Sequence, residues 1–150
     1  MKLSKFTDYA VVLLTYLSSS PRGAESSSAL ADATGIPAPT VAKLMKMLAK
    51  SGLVTSTRGS TGGYALAQSA AQTSVATIIT AVEGPIALTA CVEESNDSCA
   101  VEDTCKVAGN WERVNAAVYD ALNAVSLQDM APDWRVMFPS PPPSPPPSPE

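Results

Sequence analysis

Phe6, Ala10, Leu13, Leu14 and Leu17 recur at steps of three and four residues, so residues 7–17 are expected to form a helix with one apolar face. The run Ser18-Ser-Ser-Pro-Arg-Gly23 breaks that rhythm. Serines 26 to 28 then offer N-caps for a second, short helix, and Gly35 stands where it would end. Pro37 and Pro39 suit the start of a third helix over 40–50. That helix has two faces. Val41, Leu44 and Leu48 fall on one side, and Lys43, Lys46 and Lys50 nearly opposite. Gly52 stops it. Residues 53–58 and 64–67, β-branched or apolar, flank Gly59-Ser-Thr-Gly-Gly63, which reads as a hairpin with a loop longer than the tight two-residue kind.

A fourth helix is expected over 74–82, with Val75, Ile78, Ile79 and Val82 as its buried stripe and Gly84-Pro85 as its end. Residues 91–105 lack a period and carry Glu93, Glu94, Asp97, Glu102 and Asp103, so they read mainly as loop. Between 107 and 127, Val107, Trp111, Val114, Val118, Ala121, Leu122 and Val125 repeat at helical steps. This seam of about five turns is long enough to pair with another helix. Residues 139–150 are almost wholly proline and serine and are expected to be an extended tail. The fold class expected is mainly α with a small β-hairpin wing: a winged helix-turn-helix followed by a long C-terminal dimerisation helix.

Composition adds three constraints. With 150 residues and 45 % hydrophobic content the chain builds one core, not two. Its net charge of −4 hides an asymmetry. Residues 1–68 hold seven basic and three acidic side chains, a net +4, and residues 69–150 hold three basic and eleven acidic, a net −8. A basic front and an acidic back suit a partner such as nucleic acid that engages one end, because phosphate binding follows local charge. Histidine is absent, which removes the commonest metal ligand and the usual general base; with no nucleophile–base pair visible, no enzyme is expected. Lys2 and Lys5 ahead of the apolar run 10–17 mimic a signal peptide, but Asp8 and Tyr9 interrupt it and the run is short. No stretch approaches the ~20 apolar residues of a membrane span, so no membrane partner and a cytoplasmic location are expected. There, three cysteines point to a metal or redox site more than to a disulfide framework.

In a helix-turn-helix the second helix of the motif lies in the major groove. Thr40, Lys43 and Lys46 are placed to meet DNA from such a helix, although a lysine stripe alone also fits an ordinary solvated face. Arg58, Gly59, Ser60, Thr61, Gly62, Gly63 and Tyr64 make a small-residue wing tip that lets backbone approach phosphate closely, with an arginine suited to a narrow minor groove. A plain hairpin turn is the alternative. No Gly-Lys-Ser/Thr follows, so a nucleotide phosphate loop is not expected. Cys91-x7-Cys99-x5-Cys105 is not a zinc-finger spacing. Three thiolates in one loop suit an iron–sulfur cluster, and on spacing alone they suit structural or redox cysteines equally.

The string Gly52-Leu-Val-Thr-Ser-Thr-Arg-Gly-Ser-Thr-Gly-Gly-Tyr-Ala-Leu-Ala67 resembles the wing signature of the iron–sulfur regulator family typified by IscR and NsrR. Val82-Glu-Gly-Pro-Ile-Ala-Leu-Thr89, the three cysteines, Asn110-Trp111 and Val125-Ser-Leu-Gln-Asp-Met130 resemble the branch that regulates the SUF iron–sulfur assembly operon. The resemblance covers about residues 1–131. It implies a DNA-binding repressor of cluster-assembly genes that acts as a homodimer on a near-palindromic operator. It also implies a cluster on Cys91, Cys99 and Cys105.

IscR-type proteins add a histidine, which this chain lacks. NsrR-type proteins add an aspartate near the N-terminus from the other subunit, and Asp8 occupies the matching position. Asp8 otherwise stabilises its helix's first turn against the dipole. Glu102, Asp103 or a small thiol from solution are the other sources of a fourth ligand, and a 4Fe-4S cluster is favoured over 2Fe-2S. Trp111 and Tyr64 read most simply as packing residues. The expected division is 1–84 winged helix-turn-helix, 85–106 cluster loop, 107–131 dimerisation helix and its end, and 132–150 tail. A metal-free thiol-based redox regulator and a non-DNA-binding cluster or metal carrier are the rival readings.

Overall fold

The computed structural model describes residues 2–60 and 62–130. The proline–serine tail and Thr61 lie outside the described residues. Helix α1 (Lys5–Ser19) buries Ala10, Leu13, Leu14 and Leu17, the apolar face its spacing predicts. Phe6 is not part of that face; it stands at the start of the helix, 37 % exposed. Helix α2 (Ser27–Thr34) begins at Ser26, whose hydroxyl accepts from the Ala29 N–H at 3.1 Å. It ends at Gly35 in the left-handed region, φ 74°. Helix α3 (Ala38–Lys50) opens with a proline in its first turn and buries Val41, Leu44, Met45 and Leu48.

Strand β1 (Val54–Thr57) pairs antiparallel with β2 (Gly63–Leu66), Val54 facing Leu66 and Thr57 facing Gly63. Strand β1 occupies the middle of the expected run 53–58, and β2 keeps the expected four residues but begins one residue earlier, at Gly63 rather than Tyr64. On its other side β2 is held by Glu25, whose backbone exchanges two hydrogen bonds with Tyr64, at 2.8 and 2.9 Å. Helix α4 (Val75–Glu83) follows, capped by Ser74 on the Thr77 N–H, with Ile78 and Ile79 buried and Val82 half-buried.

A single apolar cluster joins α1, α2, α3, β1 and α4 with Leu127 from the end of the described chain. Helix after helix, then a two-stranded hairpin, then a further helix, is the winged-helix arrangement.

The helix expected over 107–127 is instead two. Helix α5 (Ala108–Asn123) stops, and α6 (Leu127–Met130) starts at Ser126. Ser126 and Asp129 form a reciprocal cap. The Ser126 N–H and hydroxyl donate to the Asp129 carboxylate at 2.9 and 2.7 Å, and the Asp129 N–H donates back to the Ser126 hydroxyl at 3.2 Å. Two further bonds, Val75 N–H to Val125 C=O and Leu127 N–H to Thr73 C=O, stitch this turn to the root of α4. The break returns Leu127 to the core at 1 % exposure. Burial of that side chain is worth about 1.5–3 kcal/mol, and the Ser126–Asp129 cap starts the short helix that delivers it.

Candidate nucleic-acid interface and cysteine loop

Lys43, Lys46 and Lys50 are all exposed on α3, because the opposite face is committed to the core, and Thr40 is half-buried at the helix start. The Lys43 ammonium lies 5.0 Å from the centroid of the Phe6 ring, a cation–π contact between α3 and the first turn of α1. The wing places Arg58, Gly59 and Ser60 in solvent, with Gly62, Gly63 and Tyr64 half-buried at its root. A Cβ on Gly63 would fall 2.5 Å from the Glu25 backbone, and Gly63 has φ +146°. Only glycine allows β2 to lie so close to the loop between α1 and α2. Tyr64 packs on the core and bridges to Glu25, so its geometry anchors the wing. Glu25 itself is buried and accepts from the Ser20 hydroxyl at 2.6 Å.

One carboxylate ties the end of α4 to the start of α1. Glu83 ends α4, immediately before Gly84-Pro85 and the cysteine loop. Its Oε1 accepts from the Ser4 N–H at 2.7 Å and from the Thr7 hydroxyl, capping α1 from a distance in sequence that no local motif reveals. The Thr7 hydrogen bond, and then the Ser4 amide, hold its carboxyl below the ordinary glutamate range.

Cys91, Cys99 and Cys105 are free thiols, each half-buried, on the loop between α4 and α5. Cys91 Sγ lies 3.2 Å from the Thr89 hydroxyl. Glu102 and Asp103 are exposed in a 3-10 turn directly before Cys105, and Asp8 is exposed in the first turn of α1. Among the described residues no three Cys, Asp or Glu side chains are close enough to hold a metal ion. The donor set nevertheless fits an iron–sulfur cluster: three unbridged soft ligands on one accessible loop. Gathering them takes a change of loop shape rather than new residues.

Beyond the loop, the seam of α5 divides. Val118 and Leu122 are half-buried, on the same arc as the buried Asn115, whereas Val107, Trp111, Val114 and Ala121 are exposed. An open apolar groove is lined by Asn110, Arg113, Val114, Ala117, Val118 and Ala121. Among the described residues no helix is long and apolar enough to cross a membrane.

Solved structures share this arrangement. CymR of B. subtilis, described as its global cysteine regulator, superposes with TM-score 0.63 at 26 % identity, over 88 % of this chain and 97 % of its own. The IscR of T. potens gives TM-score 0.62 at 28 % identity, over 89 % and 88 %. The oxidised form of Staphylococcus aureus CymR gives 0.61 at 27 %, over 87 % and 96 %. The sequence matches the Rrf2 family, described as an iron-dependent transcriptional regulator, across residues 3–133. This chain is therefore a member of the Rrf2 family of transcription regulators.

Proposed function

We propose that the protein is a dimeric repressor of iron–sulfur cluster assembly genes whose DNA affinity follows the state of a cluster held by Cys91, Cys99 and Cys105. One observation carries this reading. The three cysteines are free and half-exposed on the single loop that joins the winged-helix body to α5. A change in loop shape there alters how the two parts stand to one another. Thr40, Lys43 and Lys46 enter the major groove, while Arg58, Gly59, Ser60, Thr61, Gly62 and Gly63 approach the flanking backbone. Tyr64 fixes the wing root. The exposed seam of α5 pairs two protomers, so residues 1–84 act as the DNA-binding unit, 85–106 as the sensor and 107–131 as the dimer arm. When bound, a 4Fe-4S cluster supplies an oxidant-sensitive bond between three thiolates and one labile corner. The partner subunit's Asp8 suits that corner because a carboxylate is a harder, weaker donor to iron than a thiolate. For such binding to switch DNA affinity, the DNA-competent and DNA-incompetent shapes must differ in affinity for the cluster.

The test is binding of anaerobic, cluster-loaded protein to promoter DNA of a cluster-assembly operon, by fluorescence anisotropy at fixed salt. Tight binding that weakens at least tenfold after cluster removal supports the proposal. Equal binding by both forms overturns it.

A second reading has its own support. Two of the structures above are CymR, one of them in an oxidised form, and the three thiols here are not gathered as a metal site among the described residues. A metal-free switch that joins two of the three cysteines would use the same loop. It predicts DNA binding that responds to disulfide formation in protein containing no iron.

A further inference from the structure

Asn115 is the buried residue of α5, 2 % exposed in an arc otherwise made of Trp111, Val118 and Leu122. A buried amide is costly unless its hydrogen bonds are made. Here they are made to the cysteine loop. Asn115 Oδ1 accepts from the Leu88 N–H at 3.0 Å. Its Nδ2 donates to the Ile86 carbonyl at 3.0 Å and to the Glu94 carboxylate at 3.3 Å. One turn earlier on α5, the Glu112 carboxylate accepts from the Glu93 N–H at 3.2 Å. Between these anchors Val92 is buried at 3 % exposure.

The segment 86–94 is therefore pinned to α5 on both sides of Cys91. Cys99 and Cys105 lie past the last pin. The hydrogen bonds around them are local, such as Glu102 N–H to the Cys99 carbonyl and Cys105 N–H to the Glu102 carbonyl. Cys91 is the thiol held between such pins, and Cys99 and Cys105 lie outside them.

We propose that Asn115 is a positioning residue that fixes Cys91 against α5, making Cys91 the stationary thiol onto which Cys99 and Cys105 close. This rests on the reading of the three cysteines as the sensing group. The consequence is mechanical: closure moves the 95–107 segment, not Cys91, and is felt by the helix that carries the exposed seam. Glu94 takes part as the acceptor that orients the amide.

The test is residue-resolved alkylation of reduced, metal-free, full-length protein with iodoacetamide, read by mass spectrometry. Asn115→Leu should speed reaction of Cys91 by about tenfold and leave Cys99 and Cys105 unchanged, since only the local opening at 86–94 is made easier. Asn115→Asp keeps the acceptor for Leu88 but sets a carboxylate oxygen against both the Ile86 carbonyl and the Glu94 carboxylate. It should also expose Cys91. Acceleration of all three cysteines together, or no change at Cys91 in these variants, would overturn the proposal. The readout needs neither cluster nor DNA. A wrong reading of the sensor shows separately, as wild-type protein that takes up no iron and whose DNA affinity is blind to thiol oxidation.

Discussion

The first 84 residues and the next 40 obey different physics. In the winged-helix body, Ala10, Leu13, Leu14, Leu30, Val41, Leu44, Met45, Leu48 and Ile78 are wholly withdrawn from water. Each helix has a defined start, and the wing is locked to Glu25 by paired backbone bonds. That region is determined by its own packing. In the loop and α5, the thiols are half-exposed, the apolar seam faces solvent at Val107, Trp111 and Val114, and the buried residue of the helix is polar. A segment that hides so little apolar surface opens more readily than a packed core. With the loop as the proposed sensor, a rigid reader is joined to a compliant part, and a ligand can then select between shapes that differ little in energy.

Substitutions in the two regions should have different consequences. The largest effect is expected in the body. Leu44→Ala should cost about 2–5 kcal/mol of unfolding free energy, measured by urea denaturation, through the cavity it leaves. A cost below 1 kcal/mol would mean the body is no better packed than the loop. Val114→Asp, on the exposed seam, should leave the monomer's secondary structure intact and abolish the dimer in sedimentation equilibrium. A stable dimer in that variant would remove α5 from the interface.

Lys46→Ala should weaken DNA binding without altering fold. It should also make the slope of log affinity against log salt shallower by about 0.9, the loss of one phosphate contact. An unchanged slope would place Lys46 away from the backbone.

The smallest effect concerns Glu83, the tie between α1 and the root of the cysteine loop. Its carboxyl is held below the ordinary range in the folded state, so its stabilisation is present above the unfolded value and is lost as pH falls through the folded one. Glu83→Gln should therefore flatten the acid limb of the stability profile while changing neutral stability modestly. Parallel profiles for the variant and the wild type would show that the Ser4–Thr7–Glu83 contact is idle.

The body was legible because its signals are local. The two faces of α3, the Ser26 cap, Gly35 and the glycine-rich turn are all set within a few residues, and each stands where the pattern places it. What escaped was long-range. Glu83 caps a helix 79 residues away, and Asn115 meets Leu88 across 27. Phe6 fits the α1 period yet faces Lys43, because a helix's first turn can overhang the core. The end of α5 departs from the periodic pattern for a related reason. Val125 continues the heptad-like spacing, but the Ser126–Asp129 cap, a helix-start signature, overrides it so that Leu127 can enter the core. Periodicity identifies an apolar face but not whether that face meets its own body or another chain.

The proposed cluster on Cys91, Cys99 and Cys105 is decided by the visible absorption spectrum of protein purified without oxygen, with iron and acid-labile sulfide assayed on the same sample. A brown protein with near-equal iron and sulfide is expected, bleached by Cys99→Ala with the dimer retained. A colourless protein that cannot be reconstituted with iron and sulfide would contradict it and leave the disulfide switch as the working mechanism of the loop.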